Sequence, residues 1–507
     1  MKRSKILIII LCYLIITALF PSCKDIAQTS ECHSFDVSEV TVEPSCTEGG
    51  EIIRKCSICG EGEKYRTAPS SHILTDWEDN GRGEYVKTCT LCDKEIAREK
   101  IYTTYSENLE YERGLRENHF TLVGIGSCTD SVVVIPPEVG GIPVTSIAGT
   151  AFQDCKNIDA VIIPSTITEI EYCTFQGSSV KRVFIPDGVT RIERSAFAYC
   201  RELSELILPN SLKFLGGSIF ANTQKLSEVI IPPSLKHLPS DTFTKSSIES
   251  VSLPEGIEFI GESALMDCFE LKKVYLPNTL TEIGIKAFKN CSALEEIYLP
   301  DSLTRIDTEA FAGCTALTDV LLPEDITYLG PNCFSECISL STVNIPKGMS
   351  SLQKGVFSNC RALKKVYFNS NLEMIQSDTF FGIDLADVEI FIPESNKNIY
   401  LIGSSLIGRS HGTILIGAAD GSIPSDKRIT RIGPAAFRDR LDLEHIVIPK
   451  NITYISGGAF YGCEHLISIT YEGTVAEWEE IYLGKEWYDG SRVKSVKCAD
   501  GEVEIRN

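Results

Sequence analysis

Apolar and polar positions along most of this chain recur with one period. The stretch IPDGVTRIERSAFAYCRELSELIL at 185–208 is followed by a proline that opens the same order of residue types again. Aligned on its Ala-Phe pair, the pattern places Phe152, Phe175, Phe197, Phe220, Phe243, Leu265, Phe288, Phe311, Phe334, Phe357, Phe380, Phe437 and Phe460 in equivalent positions. Steps are 22 or 23 residues, with one step of 57 between Phe380 and Phe437. Self-similarity at such a period marks stacked supersecondary units.

Each unit has a physical reading. The residues before the proline, such as Leu206-Ile207-Leu208 or Ile297-Tyr298-Leu299, form a short strand with an inward and an outward side. Proline ends the ladder because it has no N–H to donate. A second extended piece follows from Val189 to Ile192, and a polar turn leads into a helical or 3-10 segment presenting Ala196 and Phe197 inward. Cys200 and Leu203 close the coil. One unit buries too little to offset the ordering of its own backbone, so stability is collective and both ends need caps. The predicted fold is α/β: a leucine-rich repeat solenoid of about 13 coils, with short parallel strands and helical or 3-10 turns, preceded by a small Cys-rich β head.

Three residues after the phenylalanine, Cys155, Cys200, Cys268, Cys291, Cys314, Cys337, Cys360 and Cys463 recur, with Thr223 and Arg440 as replacements. In a stack of coils they make an internal column of small, weakly hydrogen-bonding plugs. Disulfide or redox use is the competing reading for an exported chain.

The unit IPxxVTxIxxxAFxxCxxLxxVxIP resembles the BspA-like leucine-rich repeat family of bacterial surface proteins, over about residues 101–507. Residues 101–143 are similar to that family's opening cap, a strand pair, a Gly124-Ile125-Gly126 turn and the first coil. Repeats then occupy 144–471, and 472–507 resemble the closing cap. There an amphipathic helix sets Trp478 and Ile481 on the last coil, before a hairpin with Asp500-Gly501 at its tip. The resemblance implies extracellular or cell-surface placement and a binding or adhesive role toward host proteins, other cells or matrix. It implies no enzyme activity and names no ligand. The 34 extra residues before Phe437 contain two extended stretches around Gly408-Arg409-Ser410-His411-Gly412, read as a hairpin at about 390–428 protruding from one edge.

Residues 31–100 have a different composition and hold two copies of one module. Gly50-Glu51-Ile52-Ile53-Arg54-Lys55-Cys56 overlays Gly83-Glu84-Tyr85-Val86-Lys87-Thr88-Cys89, and each copy ends its strand in Cys-x-x-Cys. Cys56 with Cys59 and Cys89 with Cys92 have the form of zinc knuckles, two thiolates on a tight turn reaching one tetrahedral ion. They form one four-cysteine structural zinc site, or each pair recruits His33 or His72. This region resembles tandem zinc-ribbon-like modules of Gram-positive surface proteins. Disulfides among Cys32, Cys46, Cys56, Cys59, Cys89 and Cys92, or a redox Cys-x-x-Cys, are the alternatives, and so small a unit requires some cross-link.

The first 22 residues read as a secretory signal: Lys2, Arg3 and Lys5, an apolar run from Ile6 to Phe20, then Pro21-Ser22-Cys23. Cys23, at the head of a linker over 23–30, stands where lipoprotein signals place the acylated cysteine, which would tie the chain to a membrane. Cleavage without lipidation and a retained anchor are the other readings, and all three place the chain outside the cytoplasm. A net charge of −21, with no basic run beyond the leader, excludes nucleic acid as a partner.

A ligand is expected on the concave side, where strand residues flanking the inward one face solvent. Phe184, Tyr275, Tyr298 and Tyr367 supply aromatic area there, beside Glu205, Glu228, Glu296 and Asp319. The plainer account is that aromatics favour strands. The chain has no His-Glu-x-x-His, Gly-x-Ser-x-Gly or Walker loop, and its seven histidines are scattered, so no catalytic residues and no enzyme are expected. The expected function is adhesion or protein–protein interaction with an extracellular protein or glycan. A glycan-binding subunit and a structural spacer of the envelope are the alternatives.

Overall fold

The computed structural model describes residues 37–42, 51–55, 62–66 and 74–505, the last apart from residues 83, 91, 101, 115–117, 377, 384, 410, 411 and 419. The repeats wind into a solenoid walled by two rows of parallel strands. The first row holds the strands before each proline, in register one coil apart: Val161 pairs with Val183, Val183 with Leu206, Val251 with Val274, Val343 with Val366. The second row holds the Val-x-x-Ile pieces, with Ile260 beside Ile283, Ile306 and Leu329 in turn.

The third corner differs from the sequence expectation. No helix forms at Ala-Phe; the only helices among the described residues are a 3-10 turn at Leu385–Asp387 and an α-helix at Val475–Glu479. Two left-handed residues four apart flank each Ala-Phe instead, Ser195 (φ 59°) and Tyr199 (φ 62°) in one coil, Lys286 (56°) and Asn290 (61°) in another. The pairs run from Thr150 and Asp154 to Glu486 and Gly490. A left-handed residue breaks a right-handed helix at once. The freed amides are used between coils: the Phe175 N–H donates to Ala196 O (2.8 Å), Phe288 to Ala310 (2.8 Å) and Phe311 to Cys333 (2.7 Å). Alternate corner amides are therefore satisfied sideways, by the neighbouring coil, and those between them within their own coil, as Ala198 N–H is by Ser195 O (3.1 Å).

Inside, the phenylalanines stack nearly face to face. Phe288, Phe311 and Phe334 follow one another at 5.0 and 5.2 Å with 3° between planes, and the same column runs from Phe152 through Phe243. The cysteines do more than fill space. Cys200, Cys314 and Cys463 each donate Sγ–H to the phenylalanine carbonyl of the preceding coil, at 2.9, 3.2 and 2.9 Å. That carbonyl also takes an amide from its own coil, as Phe175 O does from Ser178 at 3.0 Å, so the thiol fills its second lone pair. Where the cysteine is missing, Thr223 bonds Phe220 O instead (2.8 Å).

The long step between Phe380 and Phe437 is a correction to the protruding hairpin. The expected hairpin pairs Ser405–Gly408 with Thr413–Ile416, but a third strand, Ile399–Ile402, joins it, and Thr413–Ile416 runs parallel to the second-row strand Arg431–Ile432. The three strands form a wall across the interior. Ile399 and Leu406 face the core on the N-terminal side, Ile407 and Ile414 the core on the C-terminal side, and all four are buried. Alternating strand residues facing opposite ways produce this division. Gly417 stands in the phenylalanine's place. Its N–H donates to Ala436 O (2.8 Å), its O accepts from Arg440 (3.4 Å), and a Cβ there would lie 2.2 Å from the Phe437 ring.

Each end of the stack carries its own short elements. Strands Glu110–Arg113 and Phe120–Gly124 pair ahead of the first coil. At the far end Thr474 and Glu477 form a capping box that starts the helix carrying buried Trp478, and Ser495–Lys497 pairs antiparallel with Glu502–Glu504. Trp487 takes the alanine position of a last corner, its carbonyl accepting the Phe460 N–H at 2.7 Å.

Replacing Phe311 by Ala should lower the unfolding free energy by about 3–5 kcal/mol, read from the denaturant midpoint. The buried thiols make a second prediction. Desolvation pushes Cys314 and Cys360 up to about 12 and Cys200 and Cys463 up to about 11, from 9.0. Folding therefore favours the protonated thiol, and its contribution is complete below about pH 9. It is lost as pH rises toward 11–12, where the unfolded chain has released protons that the folded one keeps. Midpoints should fall across that window, and less steeply for Cys314→Ala/Cys360→Ala.

Candidate binding surface

Each first-row strand points one residue inward and one on either side outward. In Lys273–Tyr275 the order is exposed Lys273, buried Val274, half-buried Tyr275. Stacking coils turns this into two columns on the outer face. One is largely charged: Glu205, Glu228, Lys273, Glu296, Asp319, Lys365 and Glu389 are exposed along it. The other carries Phe184, Ile207, Ile230, Ser252, Tyr275, Tyr298, Leu321, Asn344, Tyr367 and Phe391, each half-buried.

The aromatic column is not continuous. Asn344 grips the neighbouring coil, its Oδ1 accepting from Leu322 N–H (3.0 Å) and its Nδ2 donating to Leu322 O (2.9 Å), so its amide is committed to the ladder. It separates Tyr275 and Tyr298 from a second aromatic patch, where Tyr367 stacks on Phe391 at 4.6 Å with 8° between planes. Lys365 reaches Glu389 (3.8 Å) beside this pair. Phe391 was missed in the sequence because it opens the irregular step. The signal was present in Phe391-Ile392-Pro393, an aromatic two places before a proline, as in Phe184-Ile185-Pro186.

Phe184 is taken up within the chain. The second Cys-rich module, strands Glu78–Asp79, Glu84–Thr88 and Glu95–Lys100, lies against it. The Trp77 ring sits 4.9 Å from Phe184 and Tyr85 6.2 Å. Arg182 bonds Glu99 at 3.3 Å.

Cys89 and Cys92 lie at the tip of the hairpin between the last two of these strands. The Asp93 N–H donates to Cys89 O and the Cys89 N–H to Lys94 O, both at 2.8 Å. Asp93 is left-handed (φ 55°), where the first copy has Gly60. Cys89 is buried and Cys92 half-buried. Cys56, Cys59, His33, His72 and Cys23 lie outside the described residues. No group of three metal-binding side chains occurs among the described ones. His445 is exposed and bonds Ser468 Oγ (2.7 Å).

The second row has its own outer face, which the sequence reading did not single out. Arg191 lies over Phe214 (3.9 Å), Arg305 over Tyr328 (4.1 Å) and Arg431 over Tyr454 (4.7 Å). Arg191 and Arg305 also pair with Glu169 and Glu282 of the preceding coil, so these charges are spent on stitching coils together.

A solenoid of about 22-residue coils with two strand rows and capped ends defines the leucine-rich repeat class. The family model described as the BspA type leucine rich repeat region matches residues 140–248, 192–315, 236–363, 281–402 and 421–486. The chain belongs to the BspA-type leucine-rich repeat family. The matched segments stop at 402 and resume at 421, on either side of most of the wall. Among solved structures, a leucine-rich repeat protein from Bacteroides ovatus is 23% identical and covers 77% of this chain and 100% of its own, with a TM-score of 0.48. A leucine rich cell surface protein from Faecalibacterium prausnitzii is 22% identical over 75% of this chain and 97% of its own, with a TM-score of 0.39. The pneumococcal vaccine antigen PcpA is 21% identical over 57% and 98%, with a TM-score of 0.33. No curated protein matches the chain.

Proposed function

We propose that the chain is displayed on the cell surface and captures an extracellular protein through the outer face of its first strand row, acting in adhesion or protein–protein interaction without catalysis. The observation that carries this reading is the row of outward rings, Tyr275 and Tyr298, then the stacked Tyr367 and Phe391. Rings held on a ladder of paired strands offer contact area at low entropy cost. Family membership and the secretory order of the leader support the placement, with lipid on Cys23 holding the chain at the membrane.

Tyr275→Ser/Tyr298→Ser should weaken capture of an immobilised matrix-protein panel at least tenfold without moving the melting temperature. Unchanged capture by that variant sinks the face as the site. Binding to a glycan array but to no protein assigns the same face to sugars.

In the head, a structural zinc held by Cys56, Cys59, Cys89 and Cys92 supplies the cross-link that so small a core needs. Elemental analysis of the purified secreted chain should find about one zinc per chain, with chelation exposing Cys89 and Cys92 to a thiol reagent. Metal-free protein in which those cysteines resist the reagent until reduced would point to disulfides.

A further inference from the structure

Among the described residues, the head lies against the solenoid around Phe184, Asp187 and Asn210. Lys87 has a fully buried side chain, and its Nζ lies 3.0 Å from Asp187 Oδ1. The other oxygen of Asp187 accepts the Trp77 backbone N–H at 2.8 Å. Asn210, one coil on, donates to Leu74 O at 2.7 Å. With Trp77 on Phe184, an aromatic ring just before one strand of the head and a lysine from the strand paired with it thus meet an aromatic rung and the aspartate three residues later. These groups come from positions 100–136 residues apart; on the solenoid side Phe184 stands in the same column as Tyr275 and Tyr298, and Asp187 and Asn210 lie in the turns that follow the first-row strands.

The energetics make this contact exchangeable. A lysine taken fully out of water costs several kcal/mol, which one carboxylate only about offsets, so a buried pair of this kind selects its partner more than it strengthens the hold. Once the module lifts, Lys87 regains water and the penalty disappears. Losing Asp187 while the module stays down leaves the charge uncompensated, so the contact releases as a unit.

Building on the reading of this face as the binding surface, we infer that the second Cys-rich module is a built-in occupant of its Phe184 end. A protein ligand presenting an aromatic ring beside a lysine competes with it for Phe184, Asp187 and Asn210. The unmasked part of the face then begins beyond these residues, and the covered part becomes available only when the module is displaced.

The full secreted chain supports the test. Asp187→Lys should raise hydrogen exchange of the Glu84–Thr88 amides at least tenfold, and Lys87→Asp in the same chain should restore protection. A labelled synthetic peptide of residues 74–88 serves as the competing ligand. It should bind the Lys87→Ala chain at least tenfold more tightly than the unaltered chain, and Asp187→Lys added to that variant should abolish binding. Exchange indifferent to Asp187, equal peptide binding by the unaltered and Lys87→Ala chains, or no binding by any of them overturns the inference. Hydrogen exchange needs no natural ligand, so failure here is distinct from failure of the Tyr275/Tyr298 capture test.

Discussion

Each coil of this protein hands every second corner amide, the phenylalanine's among them, to the next coil. That one constraint determines the rest. Because the Phe175 N–H is spent on Ala196 O, the Ala-Phe segment cannot close a helical turn, and two left-handed residues must bend the chain around it. Because the bend repeats without change of geometry, successive phenylalanines land on one another at about ring-stacking distance. The same bend aims a cysteine at the preceding carbonyl, so the thiol column is a consequence of the ladder and not a separate device.

Such a stack holds the outer residues of the first row on a continuous ladder of paired strands. The outer residues of the first row ride on inward neighbours that are fully packed, as Tyr275 rides on Val274 and Tyr367 on Val366. Little conformational freedom is left to these outer side chains. The opposite row uses its aromatics differently, placing arginines over them and glutamates beside the arginines. The two faces share one strand geometry but differ in what their side chains are left free to do.

Much of this was legible in the sequence. A 22–23-residue beat marked the coils, the prolines marked the ends of the first-row strands, and the amphipathic stretch with Trp478 and Ile481 marked the closing helix. The corner was misread as helical because Ala-Phe between polar residues fits a helix face as well as a bend. The correcting signal was the column Asp154, Gly177, Asn222, Asn290, Gly313, Asn359 and Gly382, residue types that tolerate the left-handed region. The wall was misread because its strands alternate sides, which resembles an exposed hairpin until both sides prove to be core. The docking of Trp77 on Phe184 had no signal at all, since no period links a singular contact between two differently built regions.

The partition near Leu406 and Ile407 gives the protein two interiors in series. In a one-dimensional stack, disorder spreads from coil to neighbouring coil through the shared packing. Here the phenylalanine column is broken at Gly417, and Phe437 rests on a glycine instead of a ring. Fraying that begins at the closing cap meets a bulkhead before it reaches Phe380. The longer compartment, with the rows of Tyr275 and Tyr367, is thereby insulated from disorder that starts in the shorter one.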